Sequence, residues 1–465
     1  MPAASAAPTA ATVPPREERP EPRSRAAMIA LLCVAQFVVV LDATIVAIAL
    51  PTIQRSLHVA TADLQWVMTA YTLVFAGFLV LAGRLADLHG RRLVFMAGLA
   101  LFSAASLACG LSGSPVALVV ARAVQGLGAA AVAPAALAAI AAAIPDGPDR
   151  RRALGVWTAA AAGGGASGWV LGGVITQQAG WPWVFLVNVP IGLAALALAP
   201  VLVPESRAEG ESRRLDVAGA LSLTTGVALL VLGLTRAQID GPGSPVAVGG
   251  CAAGLALLVL FLRVETRARD PLLPMSLLRA DGVAGGNIVA AALTASTGPP
   301  LLLCVLDLQG EQGRSALATG ALFAPFNLAV IAGSLAGPRV ARAVGTRTAM
   351  TLGLGGICAG VVWMLAFGAA GAPPAVLVLA FVVMGASLGC ASVASTTAGT
   401  AAVDRAREGV ASGLLNTTAQ LGAALGVAVL LSLAAAAGSG TAFVGAVVIA
   451  VAAAAAAWRA PQLSS

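Results

Sequence analysis

Asp42 and Arg122 are the two charged residues set deep in long apolar runs of this chain, and their chemistry is that of an ion pair or a proton site. If the runs are helices, Asp42 stands eight residues, about 12 Å, from the outer end of the first. Arg122 stands seven residues, about 10.5 Å, from the outer end of the fourth, so both sit at one depth. A charge at that depth in lipid is costly alone and is normally paired or faces a wet cavity. Two uses follow: a static ion pair fastening the first and fourth helices, or a proton-linked pair facing a central cavity. In the second, burial disfavours the carboxylate and a guanidinium favours it, so changing hydration moves a proton on and off Asp42. Gln125, one turn from Arg122, either orients it or bonds a neighbouring helix.

A second group of charges lies in GRLADLHGRR, where Gly83 and Gly90 bracket Asp87 and Arg91 and Arg92 follow. One acid and several guanidinium groups on a short turn can latch two helices through charge-assisted hydrogen bonds; otherwise the segment is a plain basic loop. The copy GPRVARAVGTR, Gly337–Arg347, has Arg342 roughly where Asp87 sits. Thr44, Gln125, Asn327 and Asn416 are candidate cavity residues, Asp307 a rim acid, and His58 and His89 fall in expected loops. The six cysteines are scattered through apolar runs without a CxxC pair or a nearby His, so no metal site is expected.

These residues need a scaffold that lives in lipid. The chain is 59% hydrophobic and 10% charged, against about 25% charged in soluble domains. Breaking it at Arg, acidic and Gly/Pro clusters leaves fourteen segments of spanning length: 27–50, 64–83, 93–111, 115–143, 153–177, 183–203, 216–235, 244–264, 283–306, 317–337, 347–369, 373–400, 409–436 and 440–459. All 27 basic residues are arginine, and with the N-terminus inside, 23 fall on inner segments, three on outer loops and one, Arg122, within a span. One helix more or fewer would invert every later loop and destroy that bias, so fourteen helices with both termini cytoplasmic are expected. Arginines scattered in this way do not form a nucleic-acid face.

The spans repeat. Gly155, Gly164 and Gly168 in the fifth follow G-x8-G-x3-G, and Gly413, Gly422 and Gly426 repeat it 258 residues later. LVVARAVQG (Leu118–Gly126) matches LVLAFVVMG (Leu377–Gly385), with Phe381 opposite Arg122. The halves therefore share packing but not charge, and the small residues of the fifth helix suit close helix approach more than ligand binding.

The sequence resembles the major facilitator superfamily and, within it, the fourteen-helix drug:proton antiporters of the EmrB/QacA type. The residues that carry the resemblance are LDATIVAIALP (Leu41–Pro51), GRLADLHGRR, RAVQGLGAA (Arg122–Ala130), LQWVMTAYTL (Leu64–Leu73), WVFLVNVPIG (Trp183–Gly192) and DPLLPMSLLR (Asp270–Arg279). The fifth-helix signature is supplied by Gly155, Gly164, Gly168, Gly172 and Gly173, with Trp169 where the family has proline, and Ala47 stands where Asn is usual. The resemblance implies an all-α polytopic membrane protein of the major facilitator fold. Its parts would be a disordered tail (1–26), a six-helix bundle (27–203), a linker with inserted helices seven and eight (204–282), a second six-helix bundle (283–460) and a short tail (461–465).

The implied activity is proton-coupled export of small hydrophobic or amphipathic compounds by alternating access in the plasma membrane. It would run without a cofactor, on the proton gradient, with a small-molecule substrate, protons and the lipid bilayer as partners, no nucleic acid, and the chain working as a monomer. An apolar cavity with one acid suits amphipathic or weakly basic molecules. Uptake or symport on the same fold, and a passive channel, are the alternatives. An enzyme is disfavoured because HExxH, Gly-x-Ser-x-Gly with triad partners and a Walker lysine are all missing.

Overall fold

The computed structural model describes residues 22–145, 147–207, 217–267, 282–367, 373–401 and 408–459. Among them the chain forms long helices α1 (Pro22–Leu57), α2 (Trp66–His89), α3 (Arg91–Gly110), α4 (Pro115–Ala143), α5 (Pro148–Gln178), α6 (Pro182–Leu202) and α7 (Val217–Asp240). These are followed by α8 (Pro245–Glu265), α9 (Val283–Leu306), α10 (Ala316–Val344), α11 (Thr346–Phe367), α12 (Pro374–Ala401), α13 (Glu408–Ala437) and α14 (Ser439–Arg459). In lipid no water pairs the backbone, so apolar runs of this length close their hydrogen bonds within helices. Ser114, Ser244 and Ser315 start α4, α8 and α10 by accepting from the amides of Ala117, Ala247 and Ala318.

Thirteen of these helices are long and apolar enough to cross a membrane. The other, α5, has the length, 31 residues, but seven glycines and two tryptophans lower its hydropathy. It sits between α1 and α10, where smallness matters more than apolarity. With α5 counted as a crossing, α1 would begin and α14 end on one face, here called the terminal face.

The packing repeats in two halves. α1 pairs with α5, and α4 with α2 and α3; correspondingly α9 pairs with α13, and α12 with α10 and α11. Each half buries its own apolar core, one running from Met28 to Val203 and one built mainly from residues between Val289 and Ala457. The matched glycines explain the repeat. A Cβ on Gly126 would strike the Tyr71 carbonyl, and one on Gly385 the Phe326 carbonyl, so only glycine lets α4 reach α2 and α12 reach α10 this closely. The halves meet along two seams, α5 with α10 and α2 with α13. The α7–α8 hairpin packs on the second seam, with Leu223, Val227 and Val231 against Leu73 and Ala428.

Helices overrun the breaks expected from charge and proline. α1 already includes residues 22–26, because proline suits a first helical turn, and it continues through Pro51 to Leu57. α2 stays helical through the expected latch loop to His89, and Gly90 alone, at φ 117°, makes the turn into α3. α10 likewise runs to Val344 before Gly345 turns at φ 85°. Polar residues beyond the lipid boundary cost a helix nothing when its backbone is already aligned. Tail residues 1–21 and 461–465, linker residues 208–216 and 268–281, and Arg405 and Arg407 lie outside the described residues.

Candidate functional site

Asp42 and Arg122 form an ion pair, and both are 0% exposed. The carboxylate accepts three hydrogen bonds: Oδ2 from Arg122, and Oδ1 from Gln125 Nε2 at 2.8 Å and Asn188 Nδ2 at 2.8 Å. Arg122 is held from the other side by α2, donating from Nε to the Val67 carbonyl at 2.9 Å and placing Cζ 4.3 Å from the centre of the Tyr71 ring. Phe185 of α6 covers it at 5.5 Å. Gln125 joins the members, accepting from Arg122 at 2.6 Å and donating to Ser106 Oγ of α3 at 2.7 Å. Tyr71 is anchored in turn by its hydroxyl, which donates to the Val39 carbonyl at 3.0 Å. A buried pair persists only when its remaining hydrogen-bonding positions are satisfied in this way.

The pair is buried and does not face the cavity between the halves, which was one of the two uses the sequence left open. Five helices of one bundle, α1, α2, α3, α4 and α6, close around it, with Ser106 of α3 bonding Gln125 and Asn188 of α6 bonding the carboxylate.

Gly83, Asp87, Gly90, Arg91 and Arg92 cluster at the terminal face. Asp87 on the last turn of α2 accepts from Arg91 Nε at 3.0 Å and Nη2 at 2.9 Å on the first turn of α3. Gly90 is needed twice, for its positive φ and because a Cβ there would come within 2.6 Å of Glu205. Glu205, just beyond α6, accepts from the Arg92 amide at 3.2 Å and lies 3.7 Å from its guanidinium. Gly83 rests against Pro134 of α4. The turn therefore ties α2, α3 and the end of α6. Among the described residues Arg342 has no comparable partner acid, and it bonds the Pro338 carbonyl of its own helix at 3.2 Å.

The glycines of α5 are contact points. Gly164 abuts the Phe37 carbonyl, Gly168 abuts Thr44, and Gly172 would place a Cβ 2.7 Å from the Ile45 carbonyl, all on α1. Gly173 approaches the Ala316 carbonyl of α10 equally closely, whereas Gly155, near the terminal face, meets nothing within 4 Å. Trp169 stacks on Phe323 of α10 with ring centres 4.3 Å apart, and Phe323 packs on Phe381 of α12 at 4.6 Å. Gln309, in a widened turn after α9, donates to the Ile48 carbonyl of α1 at 3.0 Å. The Trp169–Phe323 and Gln309–Ile48 contacts thus cross from one half to the other. Asp307 stays in that same turn, accepting from Gln312 at 2.8 Å.

Of the remaining candidates, Thr44 bonds the Leu41 carbonyl of its own helix at 3.1 Å, and Asn327 is buried on α10, donating to the Phe323 carbonyl at 3.2 Å. Ala47 is buried among residues of both halves. Asn416 is exposed on α13, remote from the pair.

The sequence profile of the Major Facilitator Superfamily matches residues 32–427. This chain belongs to the major facilitator superfamily. Among its relatives, the cephamycin export protein CmcT of Amycolatopsis lactamdurans is 40% identical over 87% of this chain and 84% of its own. The puromycin resistance protein pur8 of Streptomyces alboniger is 37% identical over 88% and 82%. The multidrug resistance protein Stp of Mycobacterium tuberculosis is 37% identical over 86% and 74%. Among solved structures, a POT family transporter in complex with 5-aminolevulinic acid superposes with a TM-score of 0.68 at 12% identity, over 92% of this chain and 94% of that one. The human organic anion transporter MFSD10 gives 0.64 at 18%, over 94% and 100%. At such identities the superpositions speak for the fold alone. As a major facilitator protein, the chain is a membrane-spanning transporter of small molecules and not an enzyme.

Within this facilitator, Asn188, Ser106, Tyr71 and Glu205 complete the two charged clusters, and none stood out in the sequence. Asn188 carried one signal, an amide inside the apolar stretch Trp183–Gly192.

Proposed function

We propose that this facilitator exports small amphipathic compounds of the antibiotic type across the plasma membrane in exchange for protons, as a monomer with both termini in the cytoplasm. Export is supported by the relatives, whose names record cephamycin export and puromycin or multidrug resistance. Cytoplasmic termini are supported by the 23 arginines assigned to the terminal face.

The observation that carries proton coupling is the sealed Asp42–Arg122–Gln125–Asn188 cluster. A proton on Asp42 removes the charge that ties α1 to α4, while Val67, Tyr71 and Gln125 still hold Arg122 to α2 and α4. Asn188 serves both states. Its Nδ2 donates to the carboxylate, and its buried Oδ1, without a partner among the described residues, accepts from the protonated acid once the amide rotates. Release of α1 reaches the seams through its glycine contacts with α5 and through Ile48. The driving force is about 2.3 kcal/mol per proton for each 100 mV of membrane potential, and no cofactor takes part.

Purified protein in liposomes with an imposed pH gradient should move chloramphenicol against its gradient with counterflow of protons. Asp42→Asn and Arg122→Ala should remain folded and lose the coupled movement. Proton-driven movement at the unsubstituted rate in both variants would overturn the reading.

A further inference from the structure

The second half holds a cleft between α9, α12 and α13 that the proton reading does not use. It has a volume of about 250 Å³ and is lined by Leu293, Thr294, Leu388, Ser392, Thr396 and Asn416, among others. Ser392, Thr396 and Asn416 are exposed although they belong to apolar spanning helices. Helical geometry gives the direction of Asn416. Leu425 is nine residues on, half a turn out of phase at 3.6 residues per turn, and it packs against the α7–α8 hairpin at the periphery. Thr417, one residue from Asn416, bonds the Ala76 carbonyl of α2 across the seam at 3.4 Å. Asn416 therefore looks into the space between the halves.

The walls of this cleft combine apolar side chains with hydroxyls and one amide, and carry no charge. α9 and α12 contain no acidic or basic residue, α13 has none after Glu408, and α10 none before Arg339. The one deep pair, Asp42 and Arg122, is sealed inside the other bundle. Thr294 and Thr396 spend their hydroxyl protons on the Ala419 and Ser392 carbonyls, at 2.5 and 2.9 Å, which leaves their oxygens as acceptors. The amide of Asn416 and the hydroxyl of Ser392 have no partner among the described residues. An ion entering such a site would lose hydration with no countercharge to replace it, whereas a neutral amide or hydroxyl finds both donors and acceptors.

We infer that this cleft binds the uncharged, hydrogen-bonding portion of an amphipathic substrate, with Asn416 and Ser392 as its specificity-determining residues, and that organic cations are not bound there. The inference rests on the exporter reading and names the substrate class for it. It replaces the expectation of a cavity holding one acid and suited to weak bases, because Asp42 is not in the cavity.

The test is equilibrium dialysis of the full chain in detergent, with no proton gradient, using chloramphenicol as a neutral amide and diol and tetraphenylphosphonium as a cation without hydrogen-bond donors. The unsubstituted protein should bind chloramphenicol saturably and tetraphenylphosphonium not at all. Removing two hydrogen-bonding groups in the double variant Asn416→Ala/Ser392→Ala should weaken chloramphenicol binding about tenfold or more. Asn416→Asp, with its thermal midpoint checked against the parent, should acquire saturable tetraphenylphosphonium binding. Unchanged chloramphenicol affinity in the double variant, tetraphenylphosphonium binding by the parent, or binding of neither probe overturns the inference. The expected binding pattern without proton-driven movement in liposomes counts against the exporter reading and leaves the site standing.

Discussion

In the first half, α4 carries Arg122 four residues before the glycine that touches α2, and the guanidinium lies over Tyr71; in the second, α12 carries Phe381 four residues before its matching glycine, and the ring packs on Phe323. The backbone frame is the same, and the filling is opposite. Around Arg122 there are five hydrogen-bonding side chains, those of Asp42, Gln125, Ser106, Asn188 and Tyr71, drawn from α1, α2, α3, α4 and α6. Phe381 packs on Phe323, which stacks on Trp169, in an apolar core that also holds Met384 and Leu354. A duplicated frame can thus keep one half as a charged, hydrogen-bonded core and the other as an apolar core. The aromatic stack of the second half then extends across the seam through Trp169, where the family has proline.

The comparison can be broken most directly by moving the charge. Phe381→Arg puts a guanidinium into a core whose helices α9 to α12 carry no acid to receive it, at a cost of at least about 2.5–3.5 kcal/mol. Folded yield and thermal midpoint should fall sharply, and a normal yield would show that the second half tolerates charge as the first does. Next in size is Asn188→Ala, which takes one donor from the Asp42 carboxylate and should cost about 1–3 kcal/mol. Its thermal midpoint should drop and the pH profile of export should shift, whereas the corresponding loss of a buried hydroxyl in the second half, Ser296→Ala, should leave that profile unmoved. The smallest effect is expected at the seam. Trp169→Ala removes a stacked pair worth about 0.5–1.5 kcal/mol beyond its burial, a two- to tenfold shift toward opening. Maleimide labelling of Cys304, buried near the end of α9, reads this in a background with the other five cysteines replaced. Faster labelling is expected, and an unchanged rate would mean the stack does not hold the seam.

The depth of Asp42 and Arg122 was legible because a charge in an apolar run is conspicuous. Their orientation was not. In a soluble helix the apolar stripe tells which side is buried, but α1 and α4 are apolar all round, so nothing in their pattern separates the bundle interior from the cavity. Asn188 and Ser106 were hard to single out for a related reason. Hydroxyls in spanning helices commonly bond their own backbone, as Ser103 does to Leu99 at 2.8 Å and Ser296 does to Ala292 at 2.5 Å, so their presence alone says little. The latch was legible as an acid among arginines, while Glu205 lay 113 residues from the Arg92 it meets.

What the sequence determined by itself was a chain of spanning helices, the repeat, and the pairing of the two deep charges, since each follows from the cost of polar groups in lipid and needs no knowledge of neighbours. Only the tertiary structure decided which way those charges face, that an amide on α6 completes their cage, and that the cleft of the other half carries hydroxyls and an amide but no charge. Those facts depend on the rotation of each helix about its axis, which close packing of glycine against carbonyl sets and hydropathy does not encode.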